Sequence, residues 1–201
     1  MRELEARSIT EAISRLCVEA NSGVPQDLRA ALEEACTREE SPLGREVLLD
    51  LLRNLDAARA LGVPVCQDTG MAVVFIELGQ EVHITGGNLR DAVDQGVREG
   101  TAAGHLRCSV VADPLARVNS GDNTPAILHV TVADGDRVAL TVAPKGFGSE
   151  NMSRIKMFTP AATQDDIAAF VVGCVKEAGS RPCPPVVVGV GIGGDFEYAA
   201  L

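Results

Sequence analysis

The chain has 201 residues, 46% of them hydrophobic and 23% charged, with a net charge of −10 and 3% aromatic residues. That length can bury a sizeable core, and that balance excludes a disordered chain. No apolar run approaches the ~20 residues of a membrane span, and an acidic surface poor in stacking rings argues against nucleic acid as a partner.

The first part of the chain reads as three helices. Ser8 with Glu11 forms a capping box, followed by an apolar face of Ile9, Ile13, Leu16, Cys17 and Ala20. A second helix follows Pro25, with Leu28, Leu32, Ala35 and Cys36 as its stripe. Ser41-Pro42 opens a third as N-cap and first-turn proline, and Gly62 closes it. Met71–Leu78 and Val82–Thr85 then read as short strands, and Asn88 to Ala102 as a helix. Ala126–Val132 and Arg137–Ala143 flank Asp134-Gly135-Asp136, a pattern that predicts a β-hairpin. Thr163 caps a helix running to Ala178, and Pro185–Val190 reads as a buried strand leading into Gly191-Ile192-Gly193-Gly194.

Helices and strands do not alternate strictly. The expectation is therefore an α+β fold: a helical N-terminal region packed on a mixed, largely antiparallel sheet with surrounding helices, forming one domain over residues 1–201. Phe196–Leu201 reads as the opening turns of another helix, so a longer parent is expected. No apolar leader follows Met1. The six cysteines are accordingly expected to be reduced thiols in a cytoplasmic protein. Cys17 and Cys36 sit on apolar stripes and read as core residues.

Chemistry is expected in four polar, glycine-rich loops: 65–70, 119–125, 145–151 and 182–185. Cys66 lies off any apolar stripe. Cys183 is flanked by prolines, which predicts a stiff, extended backbone able to fix the direction of a thiolate. Two buried thiols in tight turns would carry the same pattern, since no CxxC pair accompanies them. Gly189-x-Gly191-x-x-Gly194 formally matches a dinucleotide fingerprint but lacks the following helix, strand and acidic residue, so it reads as a tight turn. The backbone N–H groups of Lys145-Gly146-Phe147-Gly148-Ser149 could hold a carboxylate. His83 and His129 fall in strands and read as structural, whereas His105 could lie near a site.

Taken in order, Cys-Gln-Asp-Thr-Gly, Leu-Arg-x-Ser-Val-x-x-Asp-Pro, Asn-x-Gly-Asp-Asn-Thr-Pro, Lys-Gly-x-Gly-Ser-Glu-Asn, Cys-Pro-Pro and Gly-Ile-Gly-Gly resemble the α-subunit, or N-terminal catalytic half, of the iron–sulfur class I fumarate hydratases and the related L(+)-tartrate dehydratases. The resemblance runs from about residue 8 to the last residue. It implies a hydro-lyase acting on a small dicarboxylic acid, fumarate/malate first, with a [4Fe–4S] cluster held by three cysteines and one iron left open. Cys66 and Cys183 match two of the metal ligands. The family's third lies beyond the Gly-Ile-Gly-Gly turn, so a cluster in this chain alone is expected to be absent or incomplete. Gln67, Arg107 and Gly148 match substrate-binding positions, and Asp68 a catalytic one that orients or relays a proton. The main base is expected on a β-subunit or β domain. A homodimer is also expected. Ser120, Phe147 and Asp195 depart from the usual threonine, glycine and threonine without removing a matched ligand. The alternatives are an L(+)-tartrate dehydratase α-subunit, or a binding or scaffold subunit that has lost the cluster.

Overall fold

A computed structural model describes residues 1–201. The chain forms two compact units, Met1–Lys145 and Gly146–Leu201.

The first unit opens with a strand that the sequence does not announce, β1 (Arg2–Glu5), followed directly by α1 (Ala6–Ser22). β1 pairs in parallel with β3 (Val82–Thr85), and Thr85 Oγ1 donates to Glu5 Oε1 at 3.0 Å. Because that pairing fixes the chain up to Glu5, α1 begins two residues before Ser8. Ser8 therefore lies inside the first turn, and the expected Ser8–Glu11 capping box does not form. α2 (Gln26–Arg38) and α3 (Pro42–Leu61) follow as expected. Ser41 Oγ accepts the Gly44 N–H at 3.3 Å, and Gly62 ends α3 in the left-handed region at φ 65°. Arg29 on α2 grips Asp56 on α3 with its two terminal guanidinium nitrogens, at 2.7 and 3.3 Å.

β2 (Met71–Gly79) is the centre of a three-stranded sheet ordered β4-β2-β5. It pairs in parallel with β4 (Ile127–Ala133) and antiparallel with β5 (Val138–Lys145). Between β2 and β4, α4 (Leu89–Ala103) serves as the crossover, capped by Asn88 Oδ1 accepting the Arg90 N–H at 2.8 Å. Class α+β and a mixed sheet are thus observed, but among the strands antiparallel pairing is confined to β2–β5. The expected hairpin is not formed either: β2 lies between β4 and β5. Asp134-Gly135-Asp136 is a turn between two strands that never pair, and it passes over the end of β2. There Gly79 donates to Arg137 O at 2.8 Å and Glu81 to Gly135 O at 3.0 Å. A Cβ on Gly79 would collide with Gly135 O, so only glycine lets the turn pass.

The core follows from alternation on β2. Ala72, Val74 and Ile76 point inward and meet Ile9, Ile13 and Cys17 of α1 and Val93 and Val97 of α4. α1 and α4 approach closely because Gly96 and Gly100 face Ile13 and Cys17, and Thr10 Oγ1 donates to Ala92 O at 2.9 Å. His129 stacks on Phe75 with ring centroids 5.0 Å apart, a structural role as expected.

The second unit contains a single-turn helix, α5 (Phe147–Glu150), and α6 (Gln164–Ala178). The Thr163 hydroxyl and the Asp166 carboxylate cap α6 reciprocally. Phe158 and Phe170 pack edge to face at 5.8 Å, with Lys156 Nζ 4.6 Å from the Phe158 ring centre. Pro185–Val190 is not the buried strand the sequence predicts. It forms no ladder, and Val187 is 84% exposed. The unit supplies no strand for it to pair with, and an apolar run alone cannot satisfy its own N–H and C=O groups. Phe196–Ala200 forms turns rather than a helix, closed by Asp195 Oδ1 accepting the Tyr198 N–H at 2.8 Å.

Candidate functional site

The loop Pro64–Gly70 runs into β2, and the segment His105–Ala126 runs into β4. Because these strands are parallel, both connections arrive at the same end of the sheet. The register also places Lys145, the last residue of β5, opposite Met71 at that end. The helices anchor the first loop: Val65 N–H donates to Asn21 O at 2.9 Å, and Asn54 Nδ2 to Val65 O at 2.7 Å.

Two buried side chains join the loops. Thr69 Oγ1 accepts the Arg107 N–H at 2.9 Å. Asn123, 4% exposed, accepts the N–H groups of Ser109 (2.9 Å) and Val110 (3.2 Å) on Oδ1 and donates from Nδ2 to Gly70 O (3.0 Å). All of these are backbone groups of the two motif segments, so the amide acts as a bracket. Asn123 is held at φ 62° and His105 at φ 52°, the left-handed region that non-glycine residues seldom occupy.

A cavity of about 450 Å³ opens over this bracket, lined by Pro64, Cys66, Gln67, Thr69, His105 and Arg107. Cys66 is exposed, and its sulfur accepts the Asp68 N–H at 3.4 Å. Its thiol also faces Gln67 Oε1 at 3.6 Å. Asp68 is half-buried between two wall residues.

Behind the bracket, Asp122 Oδ1 accepts from the Thr124 hydroxyl (2.6 Å) and the Thr124 N–H (3.0 Å), while Oδ2 accepts from Arg98 Nε (2.8 Å). The Thr124 hydroxyl first, then Arg98, holds this carboxyl down to about 2. Asn119 spans the same segment, donating to Cys108 O at 2.8 Å and accepting the Gly121 N–H at 2.7 Å. The Asn-x-Gly-Asp-Asn-Thr-Pro motif is thus a hydrogen-bonded frame for the loop that carries Arg107.

In the second unit, Gly148 lies in the first turn of α5, and a Cβ there would come to 3.0 Å from Arg181 O. The α5 turn therefore touches the loop leading to Cys183, which brings the Lys-Gly-x-Gly-Ser and Cys-Pro-Pro motifs together. Cys183 is exposed, but its backbone is not extended. It sits at φ 57°, because its N–H closes a turn onto Ser180 O at 3.1 Å. Gly191 and Gly194 behave as a tight turn: Cβ atoms there would collide with Ala199 O and the Tyr198 side chain.

Of the sequence-predicted site residues, Cys66, Gln67 and Arg107 share one cavity and Asp68 lies in the same loop. Gly148 and Cys183 are carried by the second unit. Neither unit gathers three or more Cys, His, Asp or Glu side chains around one point. Sequence reasoning missed the roles of Thr69 and Asn123. Their signal was present in two polar motifs, but reading it requires knowing which backbone groups those motifs face.

The distribution of motifs agrees with comparisons to known proteins. The fumarate hydratase (Fumerase) family matches residues 10–201. The protein named "Putative L(+)-tartrate dehydratase subunit alpha" of Methanocaldococcus jannaschii is 36% identical, over 95% of this chain and 69% of that protein. The L(+)-tartrate dehydratase subunit alpha of Escherichia coli K12 is 28% identical, over 100% of this chain and 67% of that protein. With the family match running through both units and all six motifs, this chain belongs to the fumarate hydratase family.

Proposed function

We propose that this chain is the α-type part of a hydro-lyase that reversibly hydrates and dehydrates a small dicarboxylic acid, with fumarate and malate as the first pair to test. The observation that carries the reading is the cavity in which Cys66, Gln67 and Arg107 meet on loops bracketed by Asn123. Arg107 is the only lysine or arginine on its wall, and a guanidinium matches a carboxylate as a two-pronged fork. The amide of Gln67 adds a second polar contact. Asp68 is assigned the orienting or relaying of a proton at the substrate. Gly148 is assigned the second carboxylate through its backbone N–H, at a position where a side chain would crowd Arg181.

The donor set fits an iron–sulfur group in part. Cys66 and Cys183 are the two exposed thiols, whereas Cys17 and Cys36 are buried and Cys108 donates to Gly121 O at 3.3 Å. We assign Cys66 and Cys183 as two of three thiolate ligands, with the third outside the set Cys17, Cys36, Cys108 and Cys174. Bound there, a [4Fe–4S] cluster with one open iron supplies Lewis acidity toward a hydroxyl leaving group. A β-subunit completes the active unit, as the name "subunit alpha" of both relatives suggests, and the assembly is assigned as a homodimer of such pairs in the cytoplasm. No helix is long and apolar enough to cross a membrane. L(+)-tartrate is the second substrate reading, favoured by the names of the relatives.

The test is anaerobic co-production with the β-subunit, followed by assays with fumarate, malate and L-tartrate. Turnover of one of these dicarboxylates by an iron-containing complex supports the reading. A colourless, iron-free complex inert toward all three would show a scaffold subunit instead.

A further inference from the structure

Thr101, on the last turn of α4, is 5% exposed, and its Oγ1 is the one buried side-chain oxygen or nitrogen without a hydrogen-bond partner. A helical threonine can return its hydroxyl to a carbonyl of the preceding turn. Thr101 does not. It borders instead a small cavity of about 10 Å³. Other residues on that wall are Asn21, Thr69 and Asn123, whose remaining neighbours are mostly apolar.

We infer that this cavity is a binding site for one ordered water molecule, held by the Thr101 hydroxyl and by polar atoms of Asn21 and Thr69. The volume is at the threshold of about 10–15 Å³ that a single water needs, and a water needs two to four polar partners. A dry cavity would leave the Thr101 hydroxyl unsatisfied, a cost that proteins seldom carry without compensation. Each neighbour already has a structural task. Asn21 O receives the Val65 N–H, and Thr69 Oγ1 receives the Arg107 N–H. The water therefore ties the end of α4 to the back of both candidate-site loops. The inference stands on buried polar groups alone and does not depend on the proposed activity.

A crystal structure of the chain at about 1.5 Å is the direct test. A full-occupancy peak within about 2.7–3.1 Å of Thr101 Oγ1 is expected. An empty cavity, or Thr101 Oγ1 bonded to a protein atom, would overturn the inference. Thr101→Val, which keeps the shape and removes the hydroxyl, gives a second reading by its sign. If the water is present, the variant strands it and the Tm falls. If the cavity is dry, the variant removes an unsatisfied hydroxyl and the Tm rises, against the inference. Should the variant fail to fold, the wild-type density alone decides. Enzyme assays that fail would count against the proposed activity and leave the water untouched.

Discussion

Asn123 does with one side chain what two loops cannot do for themselves. Its amide satisfies three backbone groups at 2.9, 3.2 and 3.0 Å. Asn123→Ala is therefore expected to lower stability by about 2–4 kcal/mol in urea unfolding, because buried donors and an acceptor are left unpaired. Asn123→Asp keeps the two accepted bonds but turns a donor toward Gly70 O into an oxygen. It should also destabilise, and a variant of wild-type stability would show that the bracket carries no weight. Asp122 adds a pH dependence. Its folded pKa of about 2 lies below the ordinary 3.8, so the stability it contributes is fully present above about pH 4 and is lost as pH falls through about 2. Asp122→Asn should flatten that limb of a Tm-against-pH curve, and an unchanged slope would contradict the assignment. Among the thiols, burial raises Cys17 to about 11, while Cys66 is exposed. Cys66 is expected to alkylate at pH 8 with the chain folded, and Cys17 only on unfolding. Equal rates in the native chain would refute this.

Whether a glycine in a helix helps or harms depends on what it faces. A Cβ on Gly96 of α4 would come to 2.7 Å from Thr10 O and 2.8 Å from Ile13 Cβ. On Gly173 of α6 it would meet nothing within 4 Å. Gly96→Ala should therefore cost about 1–3 kcal/mol by forcing α1 and α4 apart, as overpacking does. Gly173→Ala should gain about 0.5–1 kcal/mol by restricting the unfolded chain. Equal effects in thermal unfolding would count against the close α1–α4 contact. Elements were legible in the sequence where a local signal set their ends, as with Ser41 and Gly62 around α3 and Thr163 before α6. They were illegible where a distant partner decides. β1 is a strand because β3 lies beside it. α1 starts early because β1 runs into it. The β4–β5 turn is not a hairpin because β2 lies between them, which no periodicity within residues 126–143 reveals.

At the scale of the whole molecule, fold class and chemistry separated in a consistent way. The six motifs could be ordered along the chain from sequence alone, and Cys66, Gln67 and Arg107 could be picked out by resemblance. The sequence could not show that the first three motifs meet at one end of a sheet, or that Thr69 and Asn123 hold them there, because those contacts span tens of residues. Nor could it show that the valines of 186–190 remain exposed, since strand formation needs a neighbour. Dicarboxylate binding by Arg107 in the bracketed cavity is open to kinetics on the chain co-produced with a β-subunit. Arg107→Ala is expected to lower kcat/KM about 30- to 1,000-fold, the loss of one charge-assisted fork, with iron content unchanged. Arg107→Lys should recover only part of that loss, because an ammonium cannot make the planar contact. An Arg107→Ala enzyme with wild-type kcat/KM for its dicarboxylate would make Arg107 a structural arginine and place the carboxylate elsewhere.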